Sequence, residues 1–278
     1  MIALVPPDAR YPPRLRDLAR PPDPLWVDGD VTALSGRSIA IVGTRRMTGY
    51  GERVAREIAS ACAVAGVVVV SGLAQGIDSA AHRGALDARG RTVAVLGEGI
   101  GLFIATTRGR RRPLVPRIRE SGALVSEYAP TFCAQPWTFA RRNATIAALA
   151  EAVVVVEAGE GSGALITADD ARALGRPVYA VPGPLGSAAS VGTNRLIASG
   201  AARALVGAAA LLVGLEVAPA PAAAAADTIL DALAAGALGA DELRRRLREN
   251  ESSLADRLLR LTLAGRIMKT PDGRYRAV

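Results

Sequence analysis

A short segment near the middle of the chain combines aromatic rings with cationic side chains. Trp137 and Phe139 are followed at once by Arg141, Arg142 and Asn143. Aromatic faces stack on bases, and guanidinium and amide groups donate hydrogen bonds to phosphate oxygens, so this combination is typical of single-stranded nucleic-acid binding. The chain is only 4% aromatic, so the clustering stands out. A ring at either position could instead fill the protein core.

Three glycine-rich turns offer a second kind of chemistry. Their notable residues are Arg45 and Arg46 in the turn at 43–51, Ser71, Gly72 and Gln75 in the turn at 71–78, and Ser162 and Gly163 in the turn at 157–167. Glycines let the backbone approach a ligand, and the start of a following helix presents free N–H groups to an anion. The spacing differs from the dinucleotide fingerprint, which disfavours a nicotinamide enzyme. We predict that these turns bind phosphate.

Rare residue types exclude several classes of enzyme. Lys269 is the single lysine among 34 basic residues, so no Gly-Lys-Ser/Thr sequence is present for a P-loop ATPase. His82 is the single histidine, and Asp78 lies one helical turn before it, which favours a structural imidazole over a catalytic one. Two cysteines, Cys62 and Cys133, cannot build a disulfide framework or a four-ligand metal site. We expect neither a metal nor a cofactor.

Composition and charge indicate a globular protein with an anionic partner. The 278 residues are 50% hydrophobic and 22% charged, and the net charge is +8. A basic chain favours a polyanion, although an arginine-rich, lysine-poor composition is also produced by a GC-rich genome. No apolar run reaches the length of a membrane span, and the first residues lack the basic start of a secretion signal. We expect a cytoplasmic protein with no membrane partner.

Short β-branched runs alternate with helical patterns from residue 38 onward. The runs cover residues 38–43, 67–71, 92–96, 123–126, 152–157 and 177–181. They are apolar throughout, as are strands that helices cover on both faces. This pattern predicts an α/β fold with a doubly wound, mainly parallel sheet. The ligand crevice of such a sheet lies at the carboxyl ends of its strands, where the glycine-rich turns are placed.

The chain divides into four predicted segments. Residues 1–36 are rich in Pro and Arg and are predicted to form an extended arm packed on the sheet domain, which covers residues 37–216. Residues 217–227 are mostly Ala and Pro and predict a linker. Residues 228–278 contain three amphipathic helical patterns and two strand-like runs joined by Pro271-Asp272-Gly273, which predicts a small C-terminal winged-helix domain.

A series of motifs closely resembles the DNA-processing protein A (DprA/Smf) family. They are Val42-Gly-Thr-Arg-Arg46, Ser71-Gly-Leu-Ala-Gln-Gly-Ile-Asp-Ser-Ala-Ala-His82, Phe139-Ala-Arg-Arg-Asn143, Val156–Thr167, and Val181-Pro-Gly-Pro184 with Gly192-Thr-Asn-Arg-Leu-Ile197. The resemblance covers about residues 11–206. It implies an extended Rossmann-like domain that forms a homodimer and binds single-stranded DNA in a basic pocket. It also implies a non-enzymatic recombination mediator that protects incoming DNA and helps to load the RecA recombinase during natural transformation.

The resemblance also assigns roles to residues. Arg45 would contact a phosphate, Ser71 and Gly72 would line the pocket with backbone donors, and Phe139 would stack on a base. Arg142 and Asn143 would hold the DNA backbone. The full predicted DNA-binding set is Arg45, Arg46, Ser71, Gly72, Gln75, Phe139, Arg141, Arg142, Asn143, Ser162 and Gly163, with no catalytic residue. Two departures from the family pattern are the absence of its Tyr-Pro and Asn from Gly99–Arg108, and Ala140 in place of a frequent proline.

Other functions remain open on sequence grounds. A nucleoside-monophosphate phosphoribohydrolase of the Lonely-guy type has a similar sheet, and Glu157 is the residue that could serve its chemistry, although its Pro-Gly-Gly-x-Gly-Thr-x-x-Glu pattern is not present. The winged helix could read duplex DNA, but residues 227–278 hold 10 basic and 8 acidic side chains, which favours an accessory role. The arginine-rich run at 108–119 is predicted to be a solvated or mobile loop.

Overall fold

The computed structural model describes residues 1–217, 228–234, 236–247, 251–263, 266–270 and 272–278. The chain forms two compact units, Met1–Ala220 and Pro221–Val278. The predicted linker at 217–227 lies outside the described residues except for Val217.

A nine-stranded sheet forms the centre of the first unit, whose residues 1–217 are all described. Its strands are β1 (Ile2–Leu4), β2 (Leu25–Gly29), β3 (Ser38–Val42), β4 (Val68–Ser71), β5 (Thr92–Leu96), β6 (Ala123–Ser126), β7 (Ala152–Val155), β8 (Val178–Ala180) and β9 (Arg203–Ala204). Their order is β1-β2-β6-β5-β4-β3-β7-β8-β9. Strand β2 is antiparallel to β1 and β6, and the other neighbours are parallel. The predicted mainly parallel sheet is confirmed.

Helices cover both faces of this sheet. They are α1 (Gly49–Val64), α2 (Ile77–Asp87), α3 (Ile100–Thr106), α4 (Leu114–Ser121), α5 (Pro136–Leu149), α6 (Gly163–Ala173), α7 (Val191–Ala198) and α8 (Ala208–Gly214). Ile39 and Ile41 of β3 join a core with α1 and α2, whereas Ala40 and Val42 join the opposite core with α5 and α6. Alternate strand residues therefore face two apolar layers, which explains why the runs are apolar throughout.

The first 36 residues enter the sheet itself, unlike the predicted extended arm. Strand β2 pairs with β6, where Trp26 lies opposite Ser126, and β1 pairs with the outer side of β2. Two short 3-10 helices, Pro13–Asp17 and Val31–Leu34, complete the segment. Prolines flank both strands, and β2 ends in Asp28 and Gly29 instead of an apolar run, so the sequence indicated an extended arm.

The described residues of the second unit form three helices and a hairpin. These elements are α9 (Thr228–Leu233), α10 (Ala240–Leu247), α11 (Glu251–Leu263), β10 (Ile267–Lys269) and β11 (Tyr275–Ala277). Ile229, Leu243, Leu254 and Leu258 are buried in a core of their own. The winged-helix prediction is confirmed, and Pro271 of the predicted hairpin turn lies outside the described residues.

The direction of winding reverses between β3 and β7. From β3 the chain adds β4, β5 and β6 on one side, and then returns to add β7, β8 and β9 on the other. A ligand crevice forms where strand order reverses, at the carboxyl ends of the strands. The turns after β4, β3 and β7 therefore lie side by side, as predicted.

His82 is a buried structural residue below this rim. Its Nδ1 lies 2.7 Å from Oγ1 of Thr92, and that hydroxyl donates to the carbonyl oxygen of Val69. Nδ1 must therefore carry the proton and donate to Thr92. Burial, assisted by the charges of Arg142 and Arg83, lowers the pKa of His82 to about 3. The imidazole is consequently neutral near pH 7, as a structural role requires.

We predict a contribution of His82 to the pH dependence of stability. The ordinary pKa of 6.5 falls to about 3 in the folded state, so the contribution is complete above pH 6.5 and is lost as the pH falls towards 3. The slope is about 1.4 kcal/mol per pH unit within that window. The free energy of unfolding is measured with urea and the fluorescence of Trp26 and Trp137, both in the first unit. As the pH is lowered, it should fall less steeply in His82→Gln than in the wild type. Parallel declines would show that His82 is not held neutral.

Candidate nucleic-acid interface

Two adjoining cavities open at the carboxyl ends of the central strands. The first cavity has a volume of about 480 Å³ and is lined by the turns after β3 and β7 and by one face of α5. The second cavity has a volume of about 290 Å³ and lies at the ends of β4 and β5. Both are lined by Arg45, Ala74, Phe139 and Arg142. We call the two cavities together the crevice.

Phe139 lines both cavities, and the guanidinium groups of two arginines lie near its ring. Its ring centroid lies 5.6 Å from Cζ of Arg45 and 5.9 Å from Cζ of Arg142, distances at which a cation and a ring attract each other. The ring is partly exposed and packs on Gly97, where an added Cβ would lie 2.8 Å from the ring carbon Cδ1. Phe139 therefore presents an aromatic face inside a basic crevice.

Trp137 and Phe139 are close in sequence but lie on different sides of α5. Residues two apart on a helix lie about 200° apart around its axis, so they point to different sides of α5. The indole lies edge-on to Tyr128 at 5.9 Å and to Phe132 at 6.4 Å, and lines neither cavity. Of the two aromatic residues that the sequence analysis selected, Phe139 lines the crevice and Trp137 does not.

Arg142 is buried at the bottom of the crevice beside the buried carboxylate of Asp78. Its Nη1 donates to the carbonyl oxygen of Val95 at 3.2 Å, and its Nε has no hydrogen-bond partner among the described residues. Asp78 accepts the N–H groups of Gly72 at 3.2 Å and Ala74 at 3.4 Å. Burial raises the pKa of Asp78, and the charge of Arg142 opposes that rise. The two opposite charges thus make each other's burial tolerable.

Gly72 leaves the space that Arg142 occupies. A Cβ added at Gly72 would lie 1.6 Å from Nη1 of Arg142 and 2.7 Å from Oδ2 of Asp78. Since the N–H of Gly72 already donates to Asp78, this residue positions side chains rather than offering a free backbone donor. Ser71 is fully buried, and its hydroxyl donates to the carbonyl oxygen of Ile41 at 2.6 Å. The structure therefore places Ser71 beneath the crevice, not on its wall.

The exposed rim carries Arg45, Arg46 and Gln75. Arg45 lines both cavities, Arg46 lines the first and Gln75 lines the second. Among the described residues, neither arginine forms an ion pair with a carboxylate. Their guanidinium groups are free to bind an anion.

Glu157 anchors the turn that carries these arginines. Its carboxylate accepts the N–H of Thr48 at 2.9 Å and the hydroxyl of the same residue at 2.5 Å, and its carbonyl oxygen accepts the N–H of Thr44 at 2.7 Å. Oγ1 of Thr48 in turn accepts the N–H of Gly51 and caps α1. Both carboxylate oxygens of Glu157 therefore hold the turn in place. Glu157, the residue nominated for phosphoribohydrolase chemistry, thus has a structural role here.

The turn after β7 is joined to α5 through Asn143. Nδ2 of Asn143 donates to the carbonyl oxygen of Gly163 at 3.2 Å, while Oγ of Ser162 accepts the N–H of Ala164 and caps α6. Asn143, Ser162 and Gly163 all line the first cavity. Arg141 does not join them, because its Nε donates to Oε2 of Glu127 at 2.6 Å and it lines neither cavity.

The predicted DNA-binding set lacks two charged residues that line the second cavity, Glu98 and Arg111. The arginine-rich run at 108–119, predicted to be a solvated or mobile loop, contains the 3-10 helix Gly109–Arg111 and part of α4, and most of its arginines are exposed. Arg111 lies with its Cζ 5.7 Å from the ring centroid of Phe103, at the wall of the cavity. The charge of the run is evident from the sequence, but the fold alone selects which of its arginines reaches the crevice.

Two functional features are not found in the described parts of the chain. No helix there has the length and apolar character needed to cross a membrane. The same residues contain no group of three or more His, Cys, Asp or Glu side chains that could hold a metal ion.

Two family models match the chain. The model of DNA recombination-mediator protein A matches residues 3–215, and the model of the DprA winged helix domain matches residues 214–273. Protein Smf of Escherichia coli is 41% identical over 199 residues, which are 71% of this chain and 53% of that protein. The DNA processing protein DprA of Bacillus subtilis is 40% identical over 193 residues, which are 69% of this chain and 64% of its own. The chain therefore spans about half the length of Protein Smf.

Two solved structures share the fold of the first unit. The X-ray structure of DNA processing protein A from Streptococcus pneumoniae has a TM-score of 0.70 and 32% identity, and covers 76% of this chain and 73% of its own. DNA processing protein A from Helicobacter pylori, in a structure that describes a single-stranded DNA binding mode, has a TM-score of 0.67 and 30% identity. It covers 73% of this chain and 92% of its own.

We predict that Gly72→Ala expels Arg142 from its place beside Asp78. The added methyl group would occupy the position of Nη1, so the guanidinium must leave and Asp78 remains buried without its charge partner. We expect a loss of about 2–4 kcal/mol in the free energy of unfolding, measured with urea and tryptophan fluorescence. Gly49→Ala is the matched control, because a Cβ at Gly49 meets no atom within 4 Å. Equal stability of the two variants would contradict the assignment.

Proposed function

Since this chain belongs to the DNA recombination-mediator protein A family, we propose that it binds single-stranded DNA in the crevice and acts as a recombination mediator. In this role it is a cytoplasmic homodimer that protects incoming DNA and helps to load the RecA recombinase during natural transformation. The observation that carries the proposal is the partly exposed ring of Phe139, which lies within 6 Å of the guanidinium carbons of Arg45 and Arg142 at the strand ends. The single-stranded DNA binding mode described for the Helicobacter pylori relative supports it.

In the proposed binding mode, a base and the phosphates of the DNA contact different side chains. A base stacks on Phe139, which contributes about 1–3 kcal/mol, while phosphates lie against Arg45 and Arg46 at the exposed rim. In a duplex both faces of each base are already stacked, so a ring that lines both cavities favours an unpaired strand. Phosphate contacts carry no sequence information, and we expect little sequence preference from them.

We propose that the protein catalyses no reaction. Glu157, the residue nominated for a phosphoribohydrolase, has both carboxylate oxygens bonded to Thr48. His82 is buried and neutral near pH 7 and cannot serve as a base in the crevice. We propose an accessory role for the winged-helix unit.

Arg45→Ala tests the phosphate contact at the rim. We expect a loss of roughly tenfold or more in affinity for a fluorescent oligo-dT, measured by anisotropy, because a guanidinium–phosphate pair is removed. The slope of log affinity against log salt should become shallower by about 0.7 for each phosphate that the variant no longer neutralises. Arg172→Ala is the matched control, since Arg172 lies in the last turn of α6 and pairs with Asp169. Unchanged affinity in Arg45→Ala would contradict the proposed site.

The two aromatic residues of α5 provide an internal comparison. Phe139→Leu keeps an apolar side chain in the crevice but removes the stacking face, and we expect oligo-dT affinity to fall by roughly fivefold to a hundredfold. Trp137→Leu removes the larger ring from the other side of the helix and should leave the affinity within about twofold. Circular dichroism of both variants checks the fold. A larger loss from Trp137→Leu would place the DNA on the opposite face of α5.

A further inference from the structure

The second cavity contains a carboxylate that the proposed function does not explain. Glu98 follows β5, and its carbonyl oxygen accepts the hydroxyl of Ser126 at 2.7 Å, which fixes the backbone. The side chain is partly buried, and among the described residues it has no hydrogen-bond or ion-pair partner. Burial raises the pKa of Glu98, and the nearby charge of Arg111 opposes that rise. A carboxylate with free acceptor oxygens thus lies beside a guanidinium.

A cavity that bound only phosphate would be weakened by this side chain. Arg45, Arg111 and Arg142 line the second cavity, and a negative charge among them repels a phosphate. The walls also include the rings of Phe103 and Phe139. Aromatic faces, a carboxylate acceptor and guanidinium donors are together the components of a base-binding pocket rather than of a phosphate site.

The edges of the four bases differ in what they offer to such a pocket. A carboxylate can accept two adjacent N–H groups, and guanine presents two, N1–H and N2–H, on one edge. Cytosine and adenine present one exocyclic amino group each, and thymine presents a single N3–H. An arginine binds O6 and N7 of guanine as a bidentate pair, which is the commonest specific contact to a base. Guanine alone satisfies both the carboxylate and the guanidinium.

We propose that the second cavity is a guanine-selective subsite in which Glu98 accepts N1–H and N2–H of the base and Arg111 donates to O6 and N7. This inference rests on the proposed function, because the base arrives as part of a bound single strand. The phosphate contacts at the rim remain independent of sequence, and the preference is confined to the nucleotide that enters the second cavity.

The test compares oligonucleotides that differ in single bases. Anisotropy competition is measured with an all-thymine strand and with the same strand carrying isolated guanines, adenines, cytosines or inosines. The wild type should bind the guanine strand about tenfold more tightly than the all-thymine strand. Inosine lacks the N2 amino group, so the inosine strand should lose most of that gain.

Two variants separate the carboxylate contact from general charge. Glu98→Gln should bind the all-thymine strand more tightly, because a negative charge leaves the cavity, and should reduce the guanine preference to about twofold or less. Glu160→Gln removes an exposed carboxylate from the wall of the first cavity and should keep the full preference. Thermal unfolding of both variants checks the fold.

Equal wild-type affinity for all strands, or an intact guanine preference in Glu98→Gln, would overturn the subsite while single-strand binding stands. A preference for adenine or cytosine over guanine would also overturn it. If the wild type bound none of the strands, the proposed function would fall and the subsite with it.

Discussion

The constraint on which the crevice depends is the burial of two opposite charges near each other, those of Asp78 and Arg142. A carboxylate removed from water must be compensated by hydrogen bonds and opposite charge. Asp78 receives backbone N–H groups from Gly72 and Ala74, and Arg142 supplies the opposite charge. Arg142 belongs to α5, whereas Asp78 belongs to α2 on the other face of the sheet. One electrostatic requirement therefore joins both layers of the fold at the point where the strands end.

Some of the backbone N–H groups in the glycine-rich turns are already bonded within the protein. Free N–H groups in such turns would bind phosphate directly, but here acidic side chains of the protein occupy part of them. Asp78 takes the N–H groups after β4, and Glu157 takes those of the turn after β3. The turns consequently fix the directions of Arg45 and Arg46, and these long side chains rather than the backbone provide the rim with its positive charge.

The sequence was sufficient to predict the sheet, the winged helix and the region of the crevice, because apolar strands and glycine-rich turns are local patterns. It was insufficient where tertiary contacts decide the direction of a side chain. Arg141 and Arg142 are adjacent, yet the partly exposed Arg141 pairs with Glu127 and Arg142 is buried near Asp78. Ser71 matched a motif but lies under the crevice. Glu98 and Arg111 are far apart in the sequence, and the packing of α3 and α4 against the sheet brings them to one cavity.

Because Phe139 lines both cavities, it has a consequence for any strand that would span them. Neighbouring nucleotides on either side of the ring could not stack on each other, and their pairing edges would face protein walls instead of a complementary strand. DNA held in this way would be shielded from reannealing for as long as it stayed bound. Transfer of the DNA to another protein would then have to begin with nucleotides that lie outside the two cavities and project into solvent.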